Sequence, residues 1–186
     1  MQLHYSSLHL ATLWVAALAS ALTAAPQLCA AQESAQHADG LLNNAGSIHQ
    51  ETIFEADCAR VYQALTGTRE FDAVTRLSDA VTLVTAPDAK ATAISAEVGA
   101  PFTLFGGYIT GRNLEVVRDQ RLVQAWRAGS WNPGEYSVVR FDLQAQGKRC
   151  RVVFEQLGFP ISHGVSLAEG WHVHYWEPLA KFLRRP

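Results

Sequence analysis

The C-terminal segment constrains the fold most, because it carries a strongly aromatic helical pattern. Between residues 166 and 183, apolar side chains recur every three or four positions, the spacing that gathers them on one face of an α-helix. The predicted buried face contains Leu167, Trp171, Tyr175, Pro178, Leu179 and Phe182, with Trp176 and Leu183 at its edge. The opposite face contains His174, Glu177, Lys181 and Arg184. An aromatic face of this breadth needs a sheet to cover it.

Pro178 lies inside this helical pattern. Proline has no amide proton, so the carbonyl of His174 loses its usual helical partner. The sequence therefore predicts a bend near Pro178, which would fit the helix to a curved sheet.

Composition excludes several classes of protein. The chain has 186 residues, of which 48% are hydrophobic and 17% charged, and a formal net charge of -2. This is the composition of one ordinary domain, and it lacks the basic surplus of a nucleic-acid-binding protein. The sequence has no Gly-x-Ser-x-Gly elbow, phosphate loop, dinucleotide fingerprint or metal-ligand spacing. We therefore expect neither nucleic acid, nor a cofactor, nor a metal.

The first 31 residues contain no Asp, Glu, Lys or Arg. An apolar run over residues 8–25 is followed by small residues around position 31, a pattern typical of a signal peptide. We expect residues 1–31 to be removed on export to the periplasm or beyond the cell, residues 32–46 to form a linker and residues 47–186 to form the domain. No stable membrane span would remain. An uncleaved anchor, or a mis-assigned start site that would leave the protein cytoplasmic, is the alternative.

Two cysteines, Cys58 and Cys150, remain after residue 31. Isolated cysteines are often small buried hydrophobic residues, so the sequence favours two separate thiols. A single disulfide stays open, since the sequence alone does not show whether the two meet.

The elements before the last helix follow a clear order. Residues 47–55 alternate as in a half-buried strand, Asp57 is placed to cap a short helix, and Thr68 to cap a second. Seven short strand-like runs follow, at residues 81–86, 91–98, 102–105, 108–117, 121–128, 136–146 and 149–157. Such even spacing predicts an antiparallel sheet. The pair Gly106-Gly107 predicts a bulge or sharp bend that curls it.

This order resembles the helix-grip fold of the START and Bet v 1-like (SRPBCC) superfamily, and within it the C-terminal domain of the activator of Hsp90 ATPase homologue family. The resemblance is carried by residues 53–66, by residues 106–126 and by Gly170-Trp171 at the start of the aromatic helix. It covers residues 47–184. It implies an α+β fold in which a curled antiparallel sheet wraps around a long C-terminal helix, with two short helices after the first strand.

The aromatic residues suggest a cavity for an apolar ligand between the sheet and this helix, although they could also fill the core completely. The candidate ligand-binding residues are Trp126, Phe141, Trp171, His172, Tyr175 and Leu179. On a regular wheel, His172 falls on the apolar side and would orient the ligand's polar group. His163, in a nearby loop, would close one end. The predicted function is binding of a hydrophobic or amphipathic small molecule.

Two other functions stay open. The superfamily also contains cyclases and dehydratases, in which case His172, His174 or Glu177 would act as acid or base. The family resemblance implies instead a module that regulates an Hsp90-type chaperone. An exported protein would not meet a cytosolic chaperone, and no nucleophile motif supports an enzyme, so ligand binding is the favoured prediction.

Overall fold

The computed structural model describes residues 45–185. The predicted signal peptide lies outside these residues, as does the linker up to residue 44. Within the described range, no helix combines the length and the hydrophobicity needed to cross a bilayer.

Six strands form one antiparallel sheet in the order β1-β6-β5-β4-β3-β2. The strands are β1 Ala45–Phe54, β2 Pro101–Leu104, β3 Ile109–Val117, β4 Arg121–Ala128, β5 Ser137–Gln146 and β6 Arg149–Pro160. Residues of β4 are alternately buried and half-buried, as expected when one face of a sheet covers the core. Bulges interrupt the register after Gly46 and after Asn113, and these bulges lie elsewhere than the glycine pair at 106–107.

Three short helices connect β1 to β2, namely α1 Cys58–Thr66, α2 Thr68–Thr75 and α3 Val81–Thr85. The Asp57 side chain accepts from the backbone N–H of Arg60, so the predicted cap of α1 is confirmed. Thr68 does not cap α2. Its hydroxyl donates to the carbonyl of Ile94 instead.

Two of the predicted strands are wrong. Residues 81–86 form α3, and residues 91–98 contribute only an isolated bridge between Ala93 and Thr103. Both runs are rich in β-branched residues, but such residues form a strand only where a neighbouring strand can pair with them. Here β2 already occupies the end of the sheet.

The C-terminal helix α4, residues 164–183, contains three consecutive segments. These are α-helical Gly164–Trp171, π-helical His172–Trp176 and α-helical Glu177–Leu183. In the π segment, the backbone N–H of Glu177 donates to the carbonyl of His172, five residues back. The irregularity that the sequence places at Pro178 therefore takes the form of a π turn ending two residues earlier.

Cys58 and Cys150 form a disulfide whose Cα atoms are 4.9 Å apart. The prediction of two separate thiols is therefore wrong. Register explains the pairing, because Phe54 at the end of β1 lies opposite Cys150 in β6. The turn at residues 55–57 then brings the first residue of α1 back over that strand.

The core lies between the concave face of the sheet and α4, and the predicted arrangement of sheet, short helices and C-terminal helix is confirmed. Its centre is aromatic. The ring of Trp171 lies 4.3 Å from that of Phe154 and 4.1 Å from that of Tyr175, measured between centroids. This packing fixes the position of α4 over the sheet.

Candidate functional site

Two tryptophans of α4 are anchored to the sheet by glutamines. The indole N–H of Trp171 donates to Gln156 Oε1 of β6, and the indole N–H of Trp176 donates to Gln50 Oε1 of β1, each at 2.6 Å. The two tryptophans are five positions apart in the sequence, a spacing that a regular α-helix would place about 140° apart around its axis. The π turn brings them to one face, where their rings stack at an interplanar angle of 24°.

The π turn also changes which histidine faces inward. His172 is exposed, and its Nε2 lies 3.6 Å from Glu177 Oε1. His174 is half-buried, with its ring 6.4 Å from that of Phe105. The prediction that His172 lies on the apolar side and His174 on the polar side is therefore wrong. A regular wheel assumes 3.6 residues per turn throughout, and one π turn invalidates it beyond that point.

A cavity of about 220 Å³ lies between α4 and the end of the sheet formed by β3 and β4. Most of its wall is apolar, and much of that is aromatic. The lining residues are Ala80, Leu83, Phe105, Tyr108, Ile109, Trp126, Ala128, Ser130, Trp131, His163, Ser166, Leu167, Gly170, Trp171, His174 and Tyr175. Among these lining residues there is no Asp, Glu, Lys or Arg, so no fixed charge faces the cavity from the described part of the chain.

Three buried polar atoms on this wall have no hydrogen-bond partner among residues 45–185. They are Trp126 Nε1, His174 Nδ1 and Tyr175 Oη. Buried polar atoms nearly always have a partner, because leaving one unpaired costs about 1–3 kcal/mol. The indole N–H of Trp126 differs in this respect from those of Trp171 and Trp176, which both donate to glutamines of the sheet. Unpaired groups at one cavity wall are therefore the polar features that a bound molecule would satisfy.

Burial raises the pKa of the Tyr175 phenol well above its ordinary value. The indole N–H of Trp126 lies close enough to oppose this shift in part, but it does not have the geometry of a hydrogen bond to the hydroxyl. The hydroxyl is consequently neutral at physiological pH and available as a hydrogen-bond donor.

A strained turn forms another part of the wall. Phe105, Gly106 and Gly107 all have positive φ, of 50°, 68° and 96°. A left-handed backbone is rare for a bulky residue such as Phe105. The conformation directs the Phe105 ring onto Tyr175, with centroids 5.2 Å apart. Gly106 is required because a Cβ there would lie 2.0 Å from the carbonyl oxygen of Leu83.

The six predicted ligand-binding residues separate into three groups. Trp126, Trp171 and Tyr175 line the cavity. Phe141 and Leu179 are buried in the core away from it, and the Phe141 ring packs on that of Trp176. His172 lies outside, on the solvent side of α4. His163 lines one end, with its ring 6.2 Å from that of Trp131.

The sequence did not predict that Phe105 or Leu83 of α3 would line the site. The Phe-Gly-Gly sequence was a usable signal, because consecutive glycines indicate a left-handed turn that orients the preceding side chain. For Leu83 no signal was available, since its segment reads as a strand.

The loop that carries Trp131 is held by polar contacts. Arg127 Nη2 donates to the carbonyl of Trp131 at 2.8 Å, and the guanidinium lies 5.7 Å from the ring centre of Tyr136. The Glu135 carboxylate accepts from the side chain and the backbone N–H of Asn132, and these hydrogen bonds lower the pKa of Glu135. These charged groups therefore position the loop at the cavity mouth.

The described residues contain no cluster of three or more His, Cys, Asp or Glu side chains that could hold a metal ion. The chemistry available at the cavity is hydrogen bonding by hydroxyl, indole and imidazole groups and contact with aromatic side chains.

Comparison with known proteins identifies the family. The sequence profile of the family described as "Activator of Hsp90 ATPase homolog 1-like protein" matches residues 55–184. The chain belongs to this family. The predicted relationship is therefore confirmed over nearly the whole of the described domain.

Curated members of the activator of Hsp90 ATPase homologue family include two relatives from distant organisms. The chain is 36% identical over 76 residues to an activator of 90 kDa heat shock protein ATPase homolog from Dictyostelium discoideum, covering 40% of this chain and 20% of that protein. It is 25% identical over 84 residues to homolog 1 from Homo sapiens, covering 45% and 25%. The matched region is thus a quarter or less of these relatives' length.

The fold is similar to that of a crystallised HSP90 activator from Plasmodium falciparum. The two structures agree with a TM-score of 0.60 at 18% identity, over 77% of this chain and 98% of the other. At this level of identity the similarity establishes the helix-grip fold of the family and nothing about activity.

Proposed function

We propose that the domain binds a small, mainly apolar molecule in the cavity between the sheet and α4. One observation carries the proposal: Trp126 Nε1, His174 Nδ1 and Tyr175 Oη are buried at a mostly apolar wall without a partner among the described residues. Burial of the ligand's apolar surface supplies the binding energy, at about 25 cal/mol per Å². The three polar atoms orient the molecule, since apolar burial alone does not discriminate among ligands.

The size of the cavity limits the ligand. A volume of about 220 Å³ is below the 300–1,000 Å³ typical of pockets for drug-sized molecules. A compact molecule fills it, and a larger one would leave part of itself at the mouth. Leu83 and Tyr108 support the second arrangement, since both line the cavity and are 42% and 43% exposed.

We propose further that the protein works in the periplasm or outside the cell. The charge-free N-terminal segment motivates this, and the disulfide between Cys58 and Cys150 supports it. Disulfides form and persist in oxidising compartments and are rare in the cytosol.

Native mass spectrometry of the protein purified from its own host tests the ligand proposal, followed by organic extraction of what stays bound. We expect one defined apolar molecule at near-stoichiometric occupancy. Gly170→Leu should abolish it, because Gly170 lines the cavity and the first atom of a new side chain there has only His174 Cδ2 within 4 Å, at 3.9 Å. Glu169→Leu is the matched control, since it puts the same side chain on an exposed position of α4. An empty protein would overturn the proposal.

A chaperone-regulating function is the second candidate, because relatives in the family are named as activators of an Hsp90-type ATPase. Such a module would present a surface to its partner. Val138 and Leu157 support this candidate, since they lie opposite each other in β5 and β6 and are 42% and 51% exposed. Co-purification of an Hsp90-type chaperone with the protein, lost in a Val138→Lys variant, would favour it over ligand binding.

The cyclase or dehydratase alternative now depends on His174 alone. Of the three acid or base candidates, His172 and Glu177 form an exposed pair outside the cavity, whereas His174 lines it. A rate of ligand conversion that disappears in His174→Ala and persists in His172→Ala would establish an enzyme.

A further inference from the structure

The polar wall of the cavity specifies more than an apolar ligand. Trp126 is 3% exposed and Tyr175 6% exposed, both line the cavity, and each has a buried polar atom without a protein partner among the described residues. An indole N–H is a donor only, and a phenol always retains one O–H to donate. Even if the two groups bonded to each other, one donor would remain without an acceptor.

The donors therefore require an acceptor from the ligand. A carbonyl oxygen meets the requirement with its two lone pairs, and it can accept from both groups at once. A ligand hydroxyl is the competing group, because its own O–H would need an acceptor in turn, and His174 Nδ1 is the unpaired atom of this wall that could accept it.

The charges at the cavity wall restrict the class of ligand further. The described lining residues contain no carboxylate, ammonium or guanidinium, so an ionised ligand group would have only the imidazoles of His163 and His174 to offset its burial, which is otherwise strongly unfavourable. The guanidinium of Arg127, the residue after Trp126 in β4, is bound to the carbonyl of Trp131 and lies 5.7 Å from the ring centre of Tyr136.

The shape of the wall favours a flat molecule. Trp126 packs on Trp131 and on Trp171 with ring centroids 5.4 Å and 5.6 Å apart, and Phe105 packs on Tyr175. All five of these aromatic residues line the cavity, and a wall so rich in aromatic side chains matches a planar, conjugated ligand.

We infer that the site takes a compact, uncharged, planar carbonyl compound whose oxygen accepts hydrogen bonds from Trp126 Nε1–H and Tyr175 Oη–H. This inference rests on the proposed ligand-binding function and names the class of ligand for it.

Three probes that share one aromatic ring test the assignment: acetophenone, ethylbenzene and benzoate. They differ in offering a neutral carbonyl, no polar group and a charged carboxylate. A purely apolar cavity would bind ethylbenzene best, because acetophenone loses water from its carbonyl on burial. Recognition of the carbonyl reverses that order. We expect acetophenone to bind about fivefold tighter than ethylbenzene by calorimetry, with benzoate weakest.

The protein as its host processes it is used, after removal of any co-purified molecule, and the indole ¹⁵N–¹H resonance of Trp126 is followed during each titration. Acetophenone should move this resonance downfield. Tyr175→Phe should weaken acetophenone binding about fivefold and leave ethylbenzene binding unchanged, because it removes only a hydroxyl. Trp126→Phe should also weaken acetophenone binding, because it removes the indole N–H that donates to the carbonyl. His172→Ala, on the solvent side of α4, should change neither affinity.

The outcomes separate the inference from the function on which it rests. Ethylbenzene binding as tightly as acetophenone would overturn the carbonyl assignment and leave the apolar site intact. Benzoate binding tightest would overturn the uncharged class. If no probe moves any resonance of the cavity wall, both the assignment and the proposed function fail.

Discussion

The indole N–H of Trp171 donates to Gln156 Oε1 at a place where the two residues are 2% and 0% exposed. Gln156 Nε2 in turn donates to Ser137 Oγ, and Ser137 Oγ donates to the carbonyl of Trp126. One chain of hydrogen bonds therefore joins α4, β6, β5 and β4. It also fixes the positions of Trp126 and Trp171, which both line the cavity, relative to each other.

Replacing Gln156 by leucine should break this chain. The indole N–H of Trp171 would be left unpaired in the core, at a cost of about 1–3 kcal/mol in the free energy of unfolding. Urea denaturation measures the change. Gln144→Leu is the control, because Gln144 is exposed and bonds only Arg151. Equal stabilities of the two variants would show that the Gln156 network is not structural.

The disulfide should contribute strongly to stability. It joins residues 92 positions apart, and closing a loop of that length restricts the unfolded chain by about 4–5 kcal/mol in the loop-entropy description. We expect reductant to lower the free energy of unfolding by about 2–5 kcal/mol. A double variant, Cys58→Ala with Cys150→Ala, should show the reduced stability with and without reductant. A reductant effect that persists in the double variant would contradict this assignment.

Gly106 should tolerate no side chain. Gly106→Ala places a Cβ 2.0 Å from the carbonyl oxygen of Leu83, in addition to the left-handed backbone at φ 68°. Gly147→Ala is a matched control with φ 65° and no atom within 4 Å. Backbone strain alone should lower the free energy of unfolding of each variant by about 1–2 kcal/mol, measured by thermal denaturation. The steric clash should make the loss at Gly106 clearly larger, and equal losses would show that the turn adjusts freely.

The sequence predicts this fold well because its signals are local. Strand alternation in β4, the capping carboxylate of Asp57 and the aromatic period of α4 each reflect a requirement of one element. The strand predicted at residues 81–86 failed because β-branched residues such as Val81 and Thr82 fit a strand only beside a partner strand. The disulfide was missed for a related reason, since the meeting of Cys58 and Cys150 depends on the register of β1 against β6.

The site was predicted less well, and the π turn explains why the predicted positions of the two histidines were wrong. The π turn at 172–176 is held by Gln156 and Gln50, which lie on the two neighbouring strands β6 and β1. Pro178 predicts an irregularity in α4, but nothing within α4 shows that it is a π turn that anchors the two tryptophans on neighbouring strands. A regular wheel therefore assigns His172 and His174 to the wrong sides.

Alanine substitution at these two histidines distinguishes a π turn from a regular helix. His172→Ala should change the free energy of unfolding by less than about 0.5 kcal/mol, because its pair with Glu177 is exposed. His174→Ala removes a half-buried ring and should cost about 1 kcal/mol. It should also shift the NMR signals of the Phe105 ring, which His174 contacts. A shift of those signals in His172→Ala instead would indicate regular α-helical geometry.

Tyr175 should make the protein sensitive to alkaline pH. Burial raises the pKa of its phenol above the ordinary value of 10.0, so the folded state keeps a proton that the unfolded state releases. This contribution to stability is fully present below pH 10.0 and is lost as pH rises toward the folded-state pKa. Within that window the free energy of unfolding should fall by about 1.4 kcal/mol per pH unit on account of this group.

Urea denaturation at about pH 8 and about pH 11 measures the effect, comparing the protein with Tyr175→Phe. The variant has no phenol to titrate at this position, so its stability should fall less between the two conditions. Burial also raises the pKa of Tyr62, but Tyr62 is present in both proteins and cancels in the comparison. Tyr136→Phe, at a side chain 52% exposed, should retain the full dependence. Equal slopes for the protein and Tyr175→Phe would mean that the hydroxyl is solvated, and would remove the donor on which carbonyl recognition depends.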